Sequence, residues 1–319
     1  MAPRVAVLDD YQGVAESLAD WGSLGADVAV EFFSDHLEDE IRLVERLRPF
    51  DIVALMRERT PFTRTLIEGL PGLRLIVTAG KRNASVDVKA ASERGITVCG
   101  TGIRDGSTVE LTWALILAVV RGIPREVNGL HAGRWQIGLG RELRGKTLAL
   151  LGLGRLGSQV AKIGQAFGMR TIAWSQNLSG ERCAEVGDVE LVDKNALFAR
   201  ADVLTVHLIL SKRTRGLVGA EDFARMKPTA YFVNTSRGPI VDAPALVDAL
   251  KAGTIAGAGI DVYDREPLPA DDPLRGAPNT VLTPHIGFVT EEVYRTFYPE
   301  MVQDIAAWLA GKPIRIIEP

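Results

Sequence analysis

Three short segments in the second half of the chain each end an apolar run on a residue that could do chemistry. Val233–Gly238 (VNTSRG) puts Arg237 just past one such run. Gly259–Pro267 (GIDVYDREP) puts Asp261 and Glu266 past the next, and Thr283–Gly287 (TPHIG) puts His285 past the last. Ligands of open α/β sheets bind at the carboxyl ends of the strands, which is where these residues would stand. Their types fit one reaction. Besides hydride, reduction of a 2-keto acid needs a cation to bind the carboxylate and polarise the carbonyl. It also needs an acid that titrates near neutrality, and a carboxylate to orient that acid. Arg237, His285 and Glu266 supply one residue for each role. Taken singly, Arg237 could cap a helix, Glu266 with Pro267 could form a solvated turn, and His285 could be structural. The other three histidines, His36, His131 and His207, read as structural. It is the ordered set that favours chemistry.

The set follows a loop of a specific kind. Leu148–Gly157 reads LALLGLGRLG, an apolar run feeding into Gly152, Gly154 and Gly157, with Arg155 and Leu156 between the last two. A helix is expected next, with Leu156, Val160, Ile163 and Phe167 on one face. In such a unit the first glycine makes the tight turn. The second lets a pyrophosphate approach the backbone, and the third allows close helix–strand packing, with the helix N-terminus facing the phosphates. A dinucleotide site follows, with Thr235 as a further candidate contact. An NAD-specific site carries an acid about 20 residues after the loop, on the ribose 2′-OH. Here Arg170–Trp174 ends in Ser175, Gln176 and Asn177, with no acid. A 2′-phosphate would meet no repulsion there, and Ser175 and Asn177 could donate to it. The expected cofactor is therefore NADP(H), with NAD(H) tolerated, and Arg155 as the nearest cation. No metal site is expected.

These residues need a scaffold, and the periodicity supplies one. Val5–Leu8, Val28–Phe33, Asp51–Met56, Leu73–Thr78 and Ile96–Cys99 read as strands, alternating with amphipathic stretches such as Leu37–Leu47 and Val86–Arg94. A second series starts at the glycine loop and includes Val203–Leu208, Ala230–Asn234, Ile255–Val262 and Thr280–Thr283. Two such series in 319 residues predict two α/β domains with parallel sheets. The Rossmann domain is expected over residues 103–287. A substrate domain of flavodoxin-like type is expected over residues 1–102 and 288–319, completed by a final helix, Glu291–Leu309. The segment from Gly100 to Gly106 reads as a hinge, and Ser107 with Glu110 as a capping box opening the next helix.

Composition excludes several classes. A net charge of −3 leaves no basic footprint for nucleic acid. Two distant cysteines argue against a disulfide framework. The longest apolar run, Leu111–Val120, is too short to span a bilayer, and the N-terminus shows no signal-peptide core, so a cytoplasmic protein with no membrane partner is expected.

At this point the chain resembles the D-isomer-specific 2-hydroxyacid dehydrogenases, which include glyoxylate/hydroxypyruvate reductases and phosphoglycerate dehydrogenases. The Gly152–Gly157 loop, VNTSRGPIVD, GIDVYDREPLP and TPHIG carry the resemblance, with Gly133-Arg-Trp135 and ELRGKTLALLGLGRLG upstream, so it covers nearly the whole chain. It implies that His285, paired with Glu266, is the proton donor, that Arg237 anchors the substrate, and that Asp261 lies against the nicotinamide carboxamide. It implies a homodimer built through the nucleotide domain. It also places the turn Thr78–Asn83 where backbone N–H groups meet the substrate carboxylate. In this chain Lys81, Arg82 and Asn83, after Gly80, replace part of that turn's usual glycines; facing the cleft with Arg57 they would favour an acidic or polar substrate, and the alternative is that they are solvated loop charges. Two other readings stay open: a phosphoglycerate dehydrogenase-like enzyme, and a non-enzymatic, nucleotide-sensing protein resembling transcriptional corepressors.

Overall fold

The computed structural model describes residues 2–104 and 106–319; Asp105, inside the expected hinge, lies outside the described residues. The chain forms two compact units. One runs to Arg104 and resumes at Thr290–Pro319, and the other ends at Val289.

In the first unit, β1 (Arg4–Val7), β2 (Ala29–Phe32), β3 (Ile52–Leu55), β4 (Leu75–Thr78) and β5 (Thr97–Gly100) form one parallel sheet in the order β2-β1-β3-β4-β5. This is the flavodoxin-like order. Strands β3 and β4 are buried at every position, which explains their unbroken apolar runs: helices cover both faces of a parallel sheet. The helix Glu291–Leu309 belongs to this unit and packs on β4, burying Val293, Phe297, Met301 and Ile305. After it the tail turns back along β5, where the Gly100 amide donates to the Arg315 carbonyl (3.0 Å) and the Ile317 amide to the Val98 carbonyl (2.8 Å).

Arg315 ties this tail to the helix, its Nε donating to Oδ1 of Asp304 at 2.9 Å. Asp304 is fully buried, and burial pushes its carboxyl up from 3.8 to about 7, against the pull of Arg315. A carboxyl raised on folding favours the folded state while it is protonated, and that contribution is lost as pH rises through its folded value. The melting temperature should therefore fall between pH 4 and 7. In Asp304→Asn, measured by thermal denaturation across that range, this fall should largely disappear. An equal fall in the variant would assign it to other groups.

The second unit holds β6 (Thr147–Leu151), β7 (Arg170–Trp174), β8 (Val189–Leu191), β9 (Val203–Val206), β10 (Tyr231–Asn234), β11 (Gly257–Ile260) and β12 (Thr280–Leu282), all parallel, in the order β12-β11-β10-β9-β6-β7-β8. The chain winds outward from β6 through β7 to β8, then returns to β6's other side with β9. That reversal opens a crevice at the carboxyl end of β6, which is the glycine loop. Alternate residues of β6 feed opposite cores, Leu148 and Leu150 on one face, Ala149 and Leu151 on the other. The helix Ser107–Arg121 covers β10 and β11 with Val109, Trp113, Leu115 and Ile116.

Two local expectations are corrected. The capping box does not form: Gly106, at φ +123°, is the N-cap and makes no side-chain bond, so Ser107 already lies in the first turn. Phe167 is not on the buried face of the helix Arg155–Ala166. It caps the C-terminus, is 39% exposed and stacks on Trp113 at 4.9 Å. The buried face is Gly157, Val160, Ala161 and Gly164, small residues because the helix lies close to β6: a Cβ at Gly164 would come within 2.5 Å of Leu148. Among the described residues no single helix is long and apolar enough to cross a membrane.

Candidate active site

The three strand-end residues follow neighbouring strands in register. Asn234 pairs with Ile260, and Ile260 with Leu282, so the segments after β10, β11 and β12 leave the sheet at one level. Adjacent strands lie roughly 4.8 Å apart, which puts Arg237, Glu266 and His285 along one short edge.

His285 and Glu266 form a direct pair, Nδ1 to Oε2 at 2.5 Å. The other carboxylate oxygen of Glu266 accepts from the Tyr263 amide at 2.8 Å, so the acid is itself held. His285 sits at φ +52°, a left-handed conformation uncommon outside glycine, and its ring meets Phe288 edge-on at 5.6 Å. With Nδ1 committed to Glu266, Nε2 is the nitrogen able to exchange a proton with a ligand.

Asp261 turns inward. It is fully buried; Oδ1 accepts from the Thr283 hydroxyl (2.6 Å) and the Ile286 amide (2.8 Å), and Oδ2 from the Gly287 amide (2.9 Å). Burial pushes its carboxyl up, and these hydrogen bonds oppose the shift. Its structural work is to fasten the loop that carries His285. Tyr263 assists, its hydroxyl donating to the Thr283 carbonyl at 2.8 Å. Tyr263 and Thr283 were not singled out from sequence, although both lie inside the quoted motifs.

At the end of β10 the Asn234 side chain completes the turn, donating to the Arg237 carbonyl (3.0 Å) and accepting from the Ser236 amide (3.0 Å). Arg237 donates to the Ser236 carbonyl at 2.7 Å. Gly238 packs directly on the Tyr263 backbone, where any Cβ would collide, so the Arg237 and Glu266 segments touch main chain to main chain. Thr235 is buried, its hydroxyl bonded to that of Thr112 at 2.7 Å in the helix Ser107–Arg121.

The glycine loop divides its labour. Gly152 adopts φ +107° and donates to the Trp174 carbonyl at 2.9 Å; a Cβ there would lie 2.9 Å from the His207 carbonyl oxygen. A Cβ on Gly157 would collide with the Gly152 carbonyl, and Leu156 packs against the core. Gly154 differs. It is exposed, nothing lies within 4 Å of its Cβ position, and as N-cap it offers no side chain to the first-turn amides. Those amides and the positive end of the helix dipole are available to an anion, and a bare backbone lets it approach. The loop thus fits a dinucleotide pyrophosphate.

Beyond β7, Ser175 is half-buried while Gln176 and Asn177 are exposed, in a turn closed by the Leu178 amide on the Ser175 carbonyl (3.2 Å). Arg155 is exposed at the helix start. A second arginine stands there that sequence reasoning missed. Arg182, from the helix Gly180–Val186, donates to the Leu153 carbonyl (3.2 Å) and the Ser158 hydroxyl (2.8 Å).

In the first unit, Arg57 is half-buried at φ +59°, its Nε 3.7 Å from Glu58. The Gly80 amide donates to the Thr101 hydroxyl at 2.8 Å, so it is engaged within the fold; a Cβ at Gly80 would collide with the Arg57 guanidinium. Lys81 and Arg82 are exposed, whereas Asn83 is buried and donates to the Arg57 carbonyl at 2.6 Å.

The second unit is thus a Rossmann-type nucleotide-binding unit with a His–Glu pair and an arginine at adjacent strand ends. The family profile described as "D-isomer specific 2-hydroxyacid dehydrogenase, NAD binding domain" matches residues 113–287. The chain is 40% identical over 257 residues to a glyoxylate reductase of Aeropyrum pernix, covering 77% of this chain and 76% of that one. It is 39% identical over 264 residues to a D-3-phosphoglycerate dehydrogenase of Archaeoglobus fulgidus, covering 82% of this chain and 50% of that one. It therefore spans about half the length of that relative. The crystal structure of a phosphoglycerate oxidoreductase from Vibrio cholerae matches with a TM-score of 0.91 and 38% identity, over 98% of this chain and 100% of that one. The chain belongs to the D-isomer-specific 2-hydroxyacid dehydrogenase family.

Proposed function

We propose that the protein is an NAD(P)-dependent oxidoreductase acting on a CH–OH group, interconverting a small 2-keto acid of the glyoxylate or hydroxypyruvate kind and its D-2-hydroxy acid. The observation that carries this reading is the His285–Glu266 pair at 2.5 Å, one strand end from Arg237 and in the same sheet as the glycine loop. A bound nicotinamide supplies or accepts the hydride. Arg237 binds the substrate carboxylate. Nε2 of His285 gives a proton to the keto oxygen in reduction and takes one from the hydroxyl in oxidation, while Glu266 holds the ring and offsets the charge of the imidazolium. Within the first unit, Gly80 makes room for the Arg57 side chain.

Nicotinamide absorbance followed against a panel of 2-keto acids tests the reading. Turnover of glyoxylate or hydroxypyruvate supports it. Turnover of only the phosphorylated analogue would shift it to a phosphoglycerate dehydrogenase-like enzyme, and nucleotide binding without turnover to a sensing protein. We read the cofactor as NADP(H) with NAD(H) tolerated, because Ser175, Gln176 and Asn177 replace the expected acid. A strong preference in kcat/KM for NADH would refute that.

We also propose a homodimer through the nucleotide unit. The helix Ile123–His131 and the arm after it expose Ile123, Val127, Leu130, Trp135 and Leu139, the last at 97%. Yet the arm is anchored, Glu126 accepting from the Ile137 (2.9 Å) and Gly138 (3.0 Å) amides. An ordered arm with so much apolar surface suits a second copy. Sedimentation should give a dimer, and Trp135→Glu with Leu139→Glu a monomer. A monomeric wild type would remove the proposal.

A further inference from the structure

The pyrophosphate cradle needs no side-chain cation, because a helix N-terminus and bare amides already suit an anion. Cations nevertheless gather beside it from separate segments. Strand β6 is flanked by β7 and β9, so the loops that follow these two strands bracket the end of β6. They touch: Nε2 of Gln176, after β7, lies 3.4 Å from the Arg213 carbonyl, after β9. This sets the backbone of Arg213, with Lys212 beside it in sequence, against Gln176 of the turn Ser175–Asn177, and both residues are exposed. The β9 loop is well braced, the Thr214 hydroxyl donating to the Ile209 carbonyl (2.7 Å) and accepting from the Ser211 amide (2.8 Å). From the other side Arg182 is fastened to the glycine loop through Leu153 and Ser158, and Glu185 holds its outer nitrogen at 3.0 Å.

We propose that Arg182, Lys212 and Arg213 form the cationic wall of an adenosine 2′-phosphate subsite around Ser175–Asn177. The proposal rests on the reading of the glycine loop as a dinucleotide site. It says that the charge missing from the β7 turn is delivered by other segments: Lys212 and Arg213 pair with the phosphate, and Arg182 adds a fixed positive field from the loop's edge. Ser175 and Asn177 donate hydrogen bonds between them.

Binding of 2′,5′-ADP and of 5′-AMP, measured by calorimetry without substrate or turnover, tests it. The wild type should bind 2′,5′-ADP at least about tenfold more tightly, as expected for charge-assisted contacts to one added phosphate. Lys212→Ala with Arg213→Ala, both exposed and away from the core, should abolish most of that ratio and leave 5′-AMP affinity within about twofold. Arg182→Gln should reduce the ratio less, and Arg182→Lys should restore part of it. Equal affinities in the wild type, or a ratio unchanged in the Lys212/Arg213 variant, would overturn the subsite while leaving the dinucleotide site standing. Failure of both nucleotides to bind would overturn the dinucleotide reading and the subsite with it.

Discussion

His285→Gln is expected to lower kcat by roughly 10²- to 10⁴-fold, the range for loss of a positioned acid–base. Glutamine keeps much of the side chain's size and can still meet Glu266, but it cannot carry a proton between a keto oxygen and solvent. The Kd for the dinucleotide should stay nearly constant, since the glycine loop and the β7 turn lie on other strands of the sheet. Single-turnover kinetics with a separate nucleotide titration give the two quantities. Near-normal kcat would remove His285 from the chemistry. Weakened nucleotide binding at full kcat would instead make it a binding residue.

A second large effect is expected at Asp261, for a different reason. Asp261→Ala strands the Thr283 hydroxyl and the Ile286 and Gly287 amides, which all donate to this buried carboxylate. A buried donor left without a partner costs about 1–3 kcal/mol, so about 4 kcal/mol is a moderate expectation for the set. That corresponds to a drop in melting temperature on the order of 10 °C for a unit of this size. Because the same loop presents His285, kcat should fall as well. Asp261→Asn keeps an oxygen for Thr283 and Ile286 but turns an NH₂ toward the Gly287 amide, so its loss should be intermediate. An unchanged melting temperature in Asp261→Ala would show that the loop is held by other contacts. A normal melting temperature with collapsed kcat would instead place Asp261 against the reacting groups.

Much of the scaffold was legible because burial leaves a periodic trace. Strands such as Ile52–Leu55 and Leu75–Thr78 are covered on both faces and therefore read as unbroken apolar runs, and Arg170–Trp174 and Glu291–Leu309 match to the residue. The helices Ile123–His131 and Gly180–Val186 and the strand Val189–Leu191 were not legible. They are short and largely exposed, so little of their sequence is constrained by a core. Phe167 misled for a related reason: an apolar residue at the right spacing can end a helix instead of facing the sheet.

The site divides in the same way. From sequence alone came the kinds of chemical group and their order: three glycines after an apolar run, then an arginine, a glutamate and a histidine after successive strands. Parallel strands carry their ends to one side of the sheet, so order along the chain becomes neighbourhood in space. The His285–Glu266 partnership was expected from the sequence, and the structure gave its geometry; the other partnerships were decided only by the tertiary structure. It spent the Asp261 carboxylate on the loop behind that pair and occupied the Gly80 amide with Thr101. It also brought Arg182 to the glycine loop at Leu153 and the Arg213 backbone to Gln176, across gaps in sequence that no local pattern spans. Periodicity records whether a side chain is buried. It does not record which hydrogen-bond partner a distant segment will supply, and for a carboxylate or an arginine that partner decides the role.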